Sequence, residues 1–196
     1  MESLDGIYKG GFFKNRYKLA WRAPILVQSI LKILAPRSVL DVGCAVGELV
    51  KEFTEQGVVA RGLEGATTSV PFLLVPEKMV LFHDLRLPIV LNETFDLVVC
   101  FEVAEHIEPE YADQFLSNLR SFSSRILMSA APPGQGGHHH VNCQPYQYWI
   151  DKMSVFGYRF VTETTDRIKE VIPAHAARAK EMRAIYGNML FFERES

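Results

Sequence analysis

Ser38-Val39-Leu40-Asp41-Val42-Gly43-Cys44-Ala45-Val46-Gly47-Glu48-Leu49 reads in three parts. Val39-Leu40-Asp41-Val42 is an apolar run of the kind that forms a buried parallel strand. Gly43 to Gly47 is a turn of small residues, and Glu48–Gln56 is an amphipathic helix. Strand, tight turn and helix in succession make a nucleotide-binding hinge. Backbone N–H groups at the helix start point outward, and small side chains let a ligand come close. The spacing departs from the dinucleotide pattern G-x-G-x-x-G, because Gly43, Ala45 and Gly47 alternate. No Gly-Lys-Ser/Thr follows, as a P-loop requires. Asp41, just before the turn, would repel a pyrophosphate and suits a cationic ligand carrying an ammonium or a sulfonium.

Working outward, Val58–Glu64 reads as a second strand ending in an acid. Glu64 lies about 20 residues beyond the glycine turn, where a carboxylate can accept hydrogen bonds from both ribose hydroxyls. Met79–Phe82 reads as a third strand, followed by His83-Asp84-Leu85. Phe95-Asp96-Leu97-Val98-Val99-Cys100 reads as a fourth, running into Phe101-Glu102-Val103-Ala104-Glu105-His106-Ile107.

The segment Val39–Gly47 resembles motif I of the class I S-adenosylmethionine-dependent methyltransferases, hydrophobic-hydrophobic-Asp/Glu-hydrophobic-Gly-x-Gly-x-Gly. Ala45 replaces the middle glycine, and alanine suits the turn if its φ stays negative. Residues 95–107 are similar to the F-D-x-V-x-x-x-x-V-x-E-H-I segment of that superfamily, which lines the methyl-donor pocket. The linked motifs cover roughly residues 38–107. The resemblance implies S-adenosyl-L-methionine as cofactor, held by Asp41, Gly43, Cys44, Ala45, Gly47, Glu64, Asp84, Leu85, Phe101 and Glu102. It places Asp84 opposite the adenine amino group. The fourth-strand segment reads Cys100-Phe101-Glu102-Val103, unlike the N/D-P-P-Y/F of many methylases acting on nitrogen in nucleic-acid bases or protein glutamine.

Asp41, Glu102 and Cys44 each have a structural alternative. Asp41 could satisfy the N–H groups of the turn. Glu102 could cap its own loop instead of touching the methionyl ammonium. Cys44 and Cys100, in apolar surroundings, read as inert small core residues.

Length and composition agree with one globular domain. The chain has 196 residues, 48% of them hydrophobic, with a net charge of −2 and both signs interspersed. No basic run suggests nucleic acid as partner, no 18-residue apolar stretch suggests a membrane span, and the N-terminus does not resemble a signal peptide. Cys44, Cys100 and Cys143 are an odd set without a C-x-x-C pair, which fits a cytoplasmic setting.

The remaining elements alternate in the same way. Pro24–Leu34 reads as a helix before the first strand, Tyr111–Phe122 and Pro145–Phe156 as helices, and Arg125–Ser129 as a fifth strand. Pro71 and Pro76 leave only a loop or a single turn between Glu64 and Met79. Tyr158–Thr164 and Asn188–Arg194 read as a terminal antiparallel hairpin, with a helix over Ala174–Tyr186 between its arms. The expected fold is α/β: a Rossmann-like, doubly wound sheet of seven strands, mostly parallel with an antiparallel C-terminal hairpin. Residues 1–196 form a single methyltransferase domain, with 1–36 as an N-terminal cap segment and helix and 165–187 as an insertion between the last two strands. The aromatic and basic residues Tyr8, Phe12, Phe13, Lys14, Arg16, Tyr17 and Lys18 form either a flap over the pocket or a segment docked on the core. Ligands in such sheets bind at the carboxyl ends of the strands, so Asp41, Glu64, Asp84 and Glu102 should meet at one rim.

Candidates for chemistry follow the fifth strand. Gly136-Gly137-His138-His139-His140-Val141-Asn142 is similar to G-G-H-x-H-V-N loops of related methyltransferases. His138, His139 and His140 have three readings. One of them is a base or orients the acceptor, since imidazole titrates near neutrality. Two bind a metal, although no Cys, Asp or Glu partner is visible in sequence. Or all three donate to carbonyls of a glycine-rich loop. His106 either faces the acceptor or bonds locally in its own loop. Tyr146, Tyr148 and Trp149 line a substrate wall or pack in the core.

The expected function is S-adenosylmethionine-dependent methyl transfer to a small-molecule acceptor, with no metal assigned and the oligomeric state open. Two rivals stand beside it. One is a non-catalytic module that binds the cofactor as a partner or sensor. The other is a nicotinamide-dependent oxidoreductase, which the glycine spacing and Asp41 count against.

Overall fold

The structure is a computed structural model that describes residues 2–195. Helices α1 (Leu4–Ile7), α2 (Gly10–Tyr17) and α3 (Ala23–Leu34) precede the first strand. Then come β1 (Ser38–Val42), α4 (Glu48–Glu55), β2 (Val59–Glu64), β3 (Val80–Phe82) and β4 (Leu97–Phe101). These are followed by α5 (Ala112–Phe122), β5 (Arg125–Ser129), α6 (Tyr146–Val155) and β6 (Tyr158–Phe160). The chain ends with α7 (Thr162–Val171), α8 (Ala174–Arg178), α9 (Lys180–Asn188) and β7 (Met189–Arg194).

The strands form one sheet in the order β3-β2-β1-β4-β5-β7-β6. The first five are parallel, and β7 runs antiparallel to both β5 and β6. Successive residues of a strand face opposite sides, so each strand feeds two cores. Val39, Leu97, Val99, Leu127 and Phe191 pack on one face with Leu26, Val27 and Ile30 of α3, Val50 and Phe53 of α4, and Ile168 of α7. Leu40, Val42, Val98, Cys100, Ile126, Met128 and Phe192 pack on the other with Phe115, Leu116 and Leu119 of α5 and Trp149 of α6. The same alternation turns Asp41 toward the α3–α4 side.

Between Glu64 and Val80 the two prolines leave only 3-10 turns, Thr67–Phe72 and Glu77–Met79, as the sequence leads one to expect. The C-terminal hairpin is also present, but its first arm is shorter than the sequence suggests. β6 stops at Phe160 and the insertion begins there, so Thr162–Thr164 are helical. Threonines favour strands weakly. Here they yield to packing, because Thr165, Ile168 and Ile172 recur at helical spacing and are buried on the core. The insertion accordingly carries three helices rather than one.

A second correction concerns the turn after β1. Ala45 has φ +50, like Gly43 (φ +74) and Gly47 (φ +76), so its φ is not negative. The left-handed conformation costs a residue with a Cβ roughly 1–2 kcal/mol, and glycine would return about half of that through its unfolded-state entropy. Ala45→Gly is therefore expected to stabilise the protein by about 0.5–1 kcal/mol, a rise of about 2 °C in melting temperature for a domain of this size. A lower melting temperature would show that the Ala45 methyl makes contacts worth more than this strain.

Candidate functional site

The carboxyl ends of β1, β2 and β4 border a cavity that is open to solvent at its mouth. Asp41, Gly43, Cys44, Ala45, Glu64, Asp84, Leu85, Phe101, Glu102 and His106 all line it, so residues far apart in sequence meet at one rim. The N-terminal segment closes the top. Phe13 is buried against Val46 and Ala66, and Tyr8, Phe12 and Arg16 face the cavity. The segment thus packs on the core and also lines the cavity. The segment is tied down by hydrogen bonds from Thr67 Oγ1 to Asp5 Oδ2 (2.6 Å) and between His138 Nε2 and the Ile7 carbonyl (2.9 Å).

The floor is acidic. Asp41 is 4% exposed, and among the described residues no donor hydrogen-bonds its carboxylate. The turn's own N–H groups are occupied elsewhere: Gly43 and Cys44 donate to the Leu63 carbonyl at 2.7 and 3.1 Å, and Ala45 donates to Glu64. Asp41 therefore does not serve the turn. Burial, reinforced by Glu48 and Glu64, pushes its carboxyl well above the ordinary range.

Glu64 does have a structural task. Its carboxylate accepts N–H bonds from Ala45 (2.9 Å), Gly65 (2.8 Å) and Ala66 (2.9 Å). These amides pull its pKa down, but burial outweighs them and leaves it raised. A carboxylate has about four acceptor positions, so one remains free on the Oε2 side.

Asp84 is engaged as well. The Arg86 guanidinium grips both its oxygens at 2.7–3.1 Å and also reaches Glu108 at 2.9 Å. Burial raises the Asp84 carboxyl, yet the bonds from Arg86 prevail and hold it below its usual value.

Glu102 ends β4 with φ +55, a strained conformation for a residue with a side chain. Its carboxylate accepts from Ser129 Oγ (2.8 Å), Gln135 Nε2 (3.0 Å) and Asn188 Nδ2 (3.2 Å). Asn188 in turn accepts from the Tyr146 hydroxyl at 2.8 Å. Tyr146 does not line the cavity but packs on the core and is tied to Glu102 through Asn188, whereas Trp149 is fully buried. Cys44 borders the cavity, but its thiol is pushed far up by burial.

Four of the expected residues do not line the cavity: Gly47, His138, His139 and His140. Gly47 instead supplies the left-handed turn into α4, where a Cβ would press on Val75. His138 meets the Ile7 carbonyl. His140 Nδ1 lies 3.1 Å from the Gln135 carbonyl, and the His139 carbonyl lies 3.1 Å from His106 Nδ1. His106 thus both faces the cavity and bonds to the neighbouring loop. Burial and the nearby imidazoles push its pKa down to about 3, so it is neutral at pH 7. The sequence offers no acidic partner for these histidines, but the fold does. Glu105, His106 and His140 place one ligand atom each within 4.8 Å of one another.

Sequence reading does not single out Arg22, Glu48 or Ile185 as part of the cavity wall. Arg22 is 6% exposed, donates to the Glu181 carbonyl at 3.0 Å, and lies 3.6 Å from Glu48. The contact with Glu181 joins segments more than 100 residues apart and leaves no local pattern. In sequence Arg16 is only one cation in an aromatic stretch.

A parallel sheet with its acidic cavity at the strand ends and this strand order defines the class I methyltransferase architecture. A family model described as "Methyltransferase domain" matches residues 14–129, more than half of the chain, and the chain belongs to that family of S-adenosylmethionine-dependent enzymes. Magnesium protoporphyrin IX methyltransferase (ChlM) from Synechocystis PCC 6803, solved with bound S-adenosylhomocysteine, is 17% identical, with a TM-score of 0.62 over 94% of this chain and 88% of that one. An S-adenosylmethionine-dependent methyltransferase from Archaeoglobus fulgidus is 19% identical, with a TM-score of 0.59 over 92% and 94%. The cyclase SpnF is 13% identical, with a TM-score of 0.58 over 87% and 81%. These similarities establish the fold. Comparison with curated proteins gives no match. Among the described residues, no helix is long and apolar enough to cross a membrane.

Proposed function

We propose that this protein transfers the methyl group of S-adenosylmethionine to a small-molecule acceptor. One observation carries the reading: a buried carboxylate, Asp41, faces the cavity with no protein partner. Leaving a charge in that state is expensive unless a cation completes the site. When bound, the cofactor supplies an activated methyl group on a sulfonium, displaced in line by a nucleophile, with the bond's electron pair returning to sulfur. The protein's part is to bind, align and exclude water.

In this reading Glu64 uses its free acceptor position for the ribose, and Gly43, Cys44 and Ala45 bring the backbone against the sugar. Asp84, shared with Arg86, and Leu85 border the adenine. Asp41, Phe101 and Glu102 surround the methionyl end, where Arg16 meets its carboxylate. His138, His139 and His140 shape the loop rather than act as bases in the cavity. The chain acts as one methyltransferase domain, capped by residues 1–36 and carrying its acceptor-facing insertion between β6 and β7. The acceptor class is supported by the porphyrin named for the Synechocystis neighbour and by the mixed surface charge. Three unpaired cysteines fit a cytoplasmic setting.

The test is calorimetric titration with S-adenosylmethionine and then S-adenosylhomocysteine. Binding of both on the micromolar order is expected, and absence of heat from either overturns the reading. A second reading, a cofactor-binding module without methyl transfer, is favoured by His106 being held near 3, too weak a base to take a proton in the transition state. Formation of S-adenosylhomocysteine only when an acceptor is present would separate the enzyme from the module.

A further inference from the structure

We propose that Glu105, His106 and His140 form a binding site for a divalent transition-metal ion beside the acceptor end of the cavity. Glu105 is fully buried, and neither carboxylate oxygen has a hydrogen-bond partner. The N–H groups of Glu105 and Ala131 face it without reaching hydrogen-bond geometry. His140 Nε2 lies 3.9 Å from its Oε1. A buried, unpartnered carboxylate aimed at an imidazole nitrogen is a group arranged for a cation.

The two imidazoles are prepared in the same sense. His106 Nδ1 is held at 3.1 Å by the His139 carbonyl and His140 Nδ1 at 3.1 Å by the Gln135 carbonyl. A carbonyl can only accept, so both Nδ1 atoms donate in these contacts, which leaves the two Nε2 atoms as the positions for an ion. Pinning Nδ1 to a carbonyl while Nε2 coordinates is the usual outer support of a metal-ligating histidine.

The loop bearing His140 is fixed to the same spot. The N–H groups of Val141 and Asn142 both donate to the Glu105 carbonyl at 3.0 Å. A Cβ at Gly137 would overlap the His140 ring, so glycine there makes room for it. The ligand atoms, up to 4.8 Å apart, would draw in by about 1 Å to reach bonds of about 2.0–2.2 Å to a common ion.

Two imidazoles and a carboxylate suit zinc, cobalt, manganese or ferrous ions rather than magnesium or calcium. Three protein ligands also leave an open position. His106 lines the cavity, so that position would receive an oxygen of the acceptor. This last step rests on the methyltransferase reading of the cavity, whereas ion binding does not.

The experiment uses the full chain, stripped of metal with a chelator and titrated with cobalt chloride. A visible d–d band saturating at one equivalent is expected, and zinc chloride should displace it. His140→Ala and Glu105→Gln should each weaken cobalt binding by at least about tenfold, the scale of losing even an outer support. His138→Ala, whose imidazole meets the Ile7 carbonyl, should bind as the wild type does. S-adenosylhomocysteine titrations on the same samples report the cofactor cavity independently, so loss of one site is distinguishable from loss of the other. Absence of a saturable band in the wild type overturns the proposal. So does cobalt affinity that survives both His140→Ala and Glu105→Gln.

Discussion

Glu64→Ala is expected to cost about 3 kcal/mol of stability and to weaken S-adenosylhomocysteine binding by about two orders of magnitude. Three backbone N–H groups, of Ala45, Gly65 and Ala66, end on this carboxylate. Each buried donor left without an acceptor costs about 1–3 kcal/mol, and removal of a buried charge returns part of that. The binding loss has two sources: the charge-assisted bond to the ribose, and a turn no longer held against β2. Thermal melts and calorimetry would measure both. Glu64→Gln should fall between, because an amide keeps one acceptor oxygen but cannot serve both sides of the original carboxylate. A Glu64→Ala protein with wild-type melting and affinity would remove this residue from the site and from the fold's supports.

Asp41→Asn should move stability and binding in opposite directions. The ligand-free protein should gain about 1 kcal/mol, because an uncompensated buried carboxylate is replaced by a neutral isostere. Affinity for the cationic S-adenosylmethionine should fall by about tenfold or more, and affinity for the uncharged-sulfur product by less. The pH dependence follows from the sign. A carboxyl whose folded pKa is raised makes a favourable contribution below its unfolded value of 3.8 that is lost as pH climbs through the raised value. The wild type should therefore lose more stability than Asp41→Asn as pH rises above 3.8. Parallel stability curves for the two proteins would show that Asp41 is paired in solution. Equal loss of affinity for methyl donor and product would show that it does not sense the sulfonium charge.

Much of this architecture is legible in the chain because parallel strands buried on both faces read as apolar runs, and the first four runs here have a carboxylate at or just beyond their ends. Val39–Val42, Arg125–Ser129 and the helix over residues 24–34 need no tertiary knowledge. What escapes the reading is set by contacts between distant segments. Thr162–Thr164 look like strand until Thr165, Ile168 and Ile172 find a core to face. Ala45 looks compatible with an ordinary turn until its N–H is required by Glu64, 19 residues away. Glu64 is legible as a ligand-binding acid, but its role as the acceptor for three amides is not. The histidines after β5 stand out in sequence, yet their surroundings come from Glu105, Gln135 and the N-terminal helix. No spacing rule connects these groups.

Glu102 and Asn188 carry one more consequence. The three-helix excursion between β6 and β7 ends on Asn188, whose amide bonds both the Glu102 carboxylate and Gln135. The excursion is therefore not an interchangeable part clipped onto a finished scaffold. A replacement segment must bring a side-chain amide to its final position, or leave the acid at the end of β4 short of a donor in its strained backbone. New acceptor preferences are accordingly easier to reach by altering α7 and α8 while keeping the last turn of α9 than by exchanging the whole segment.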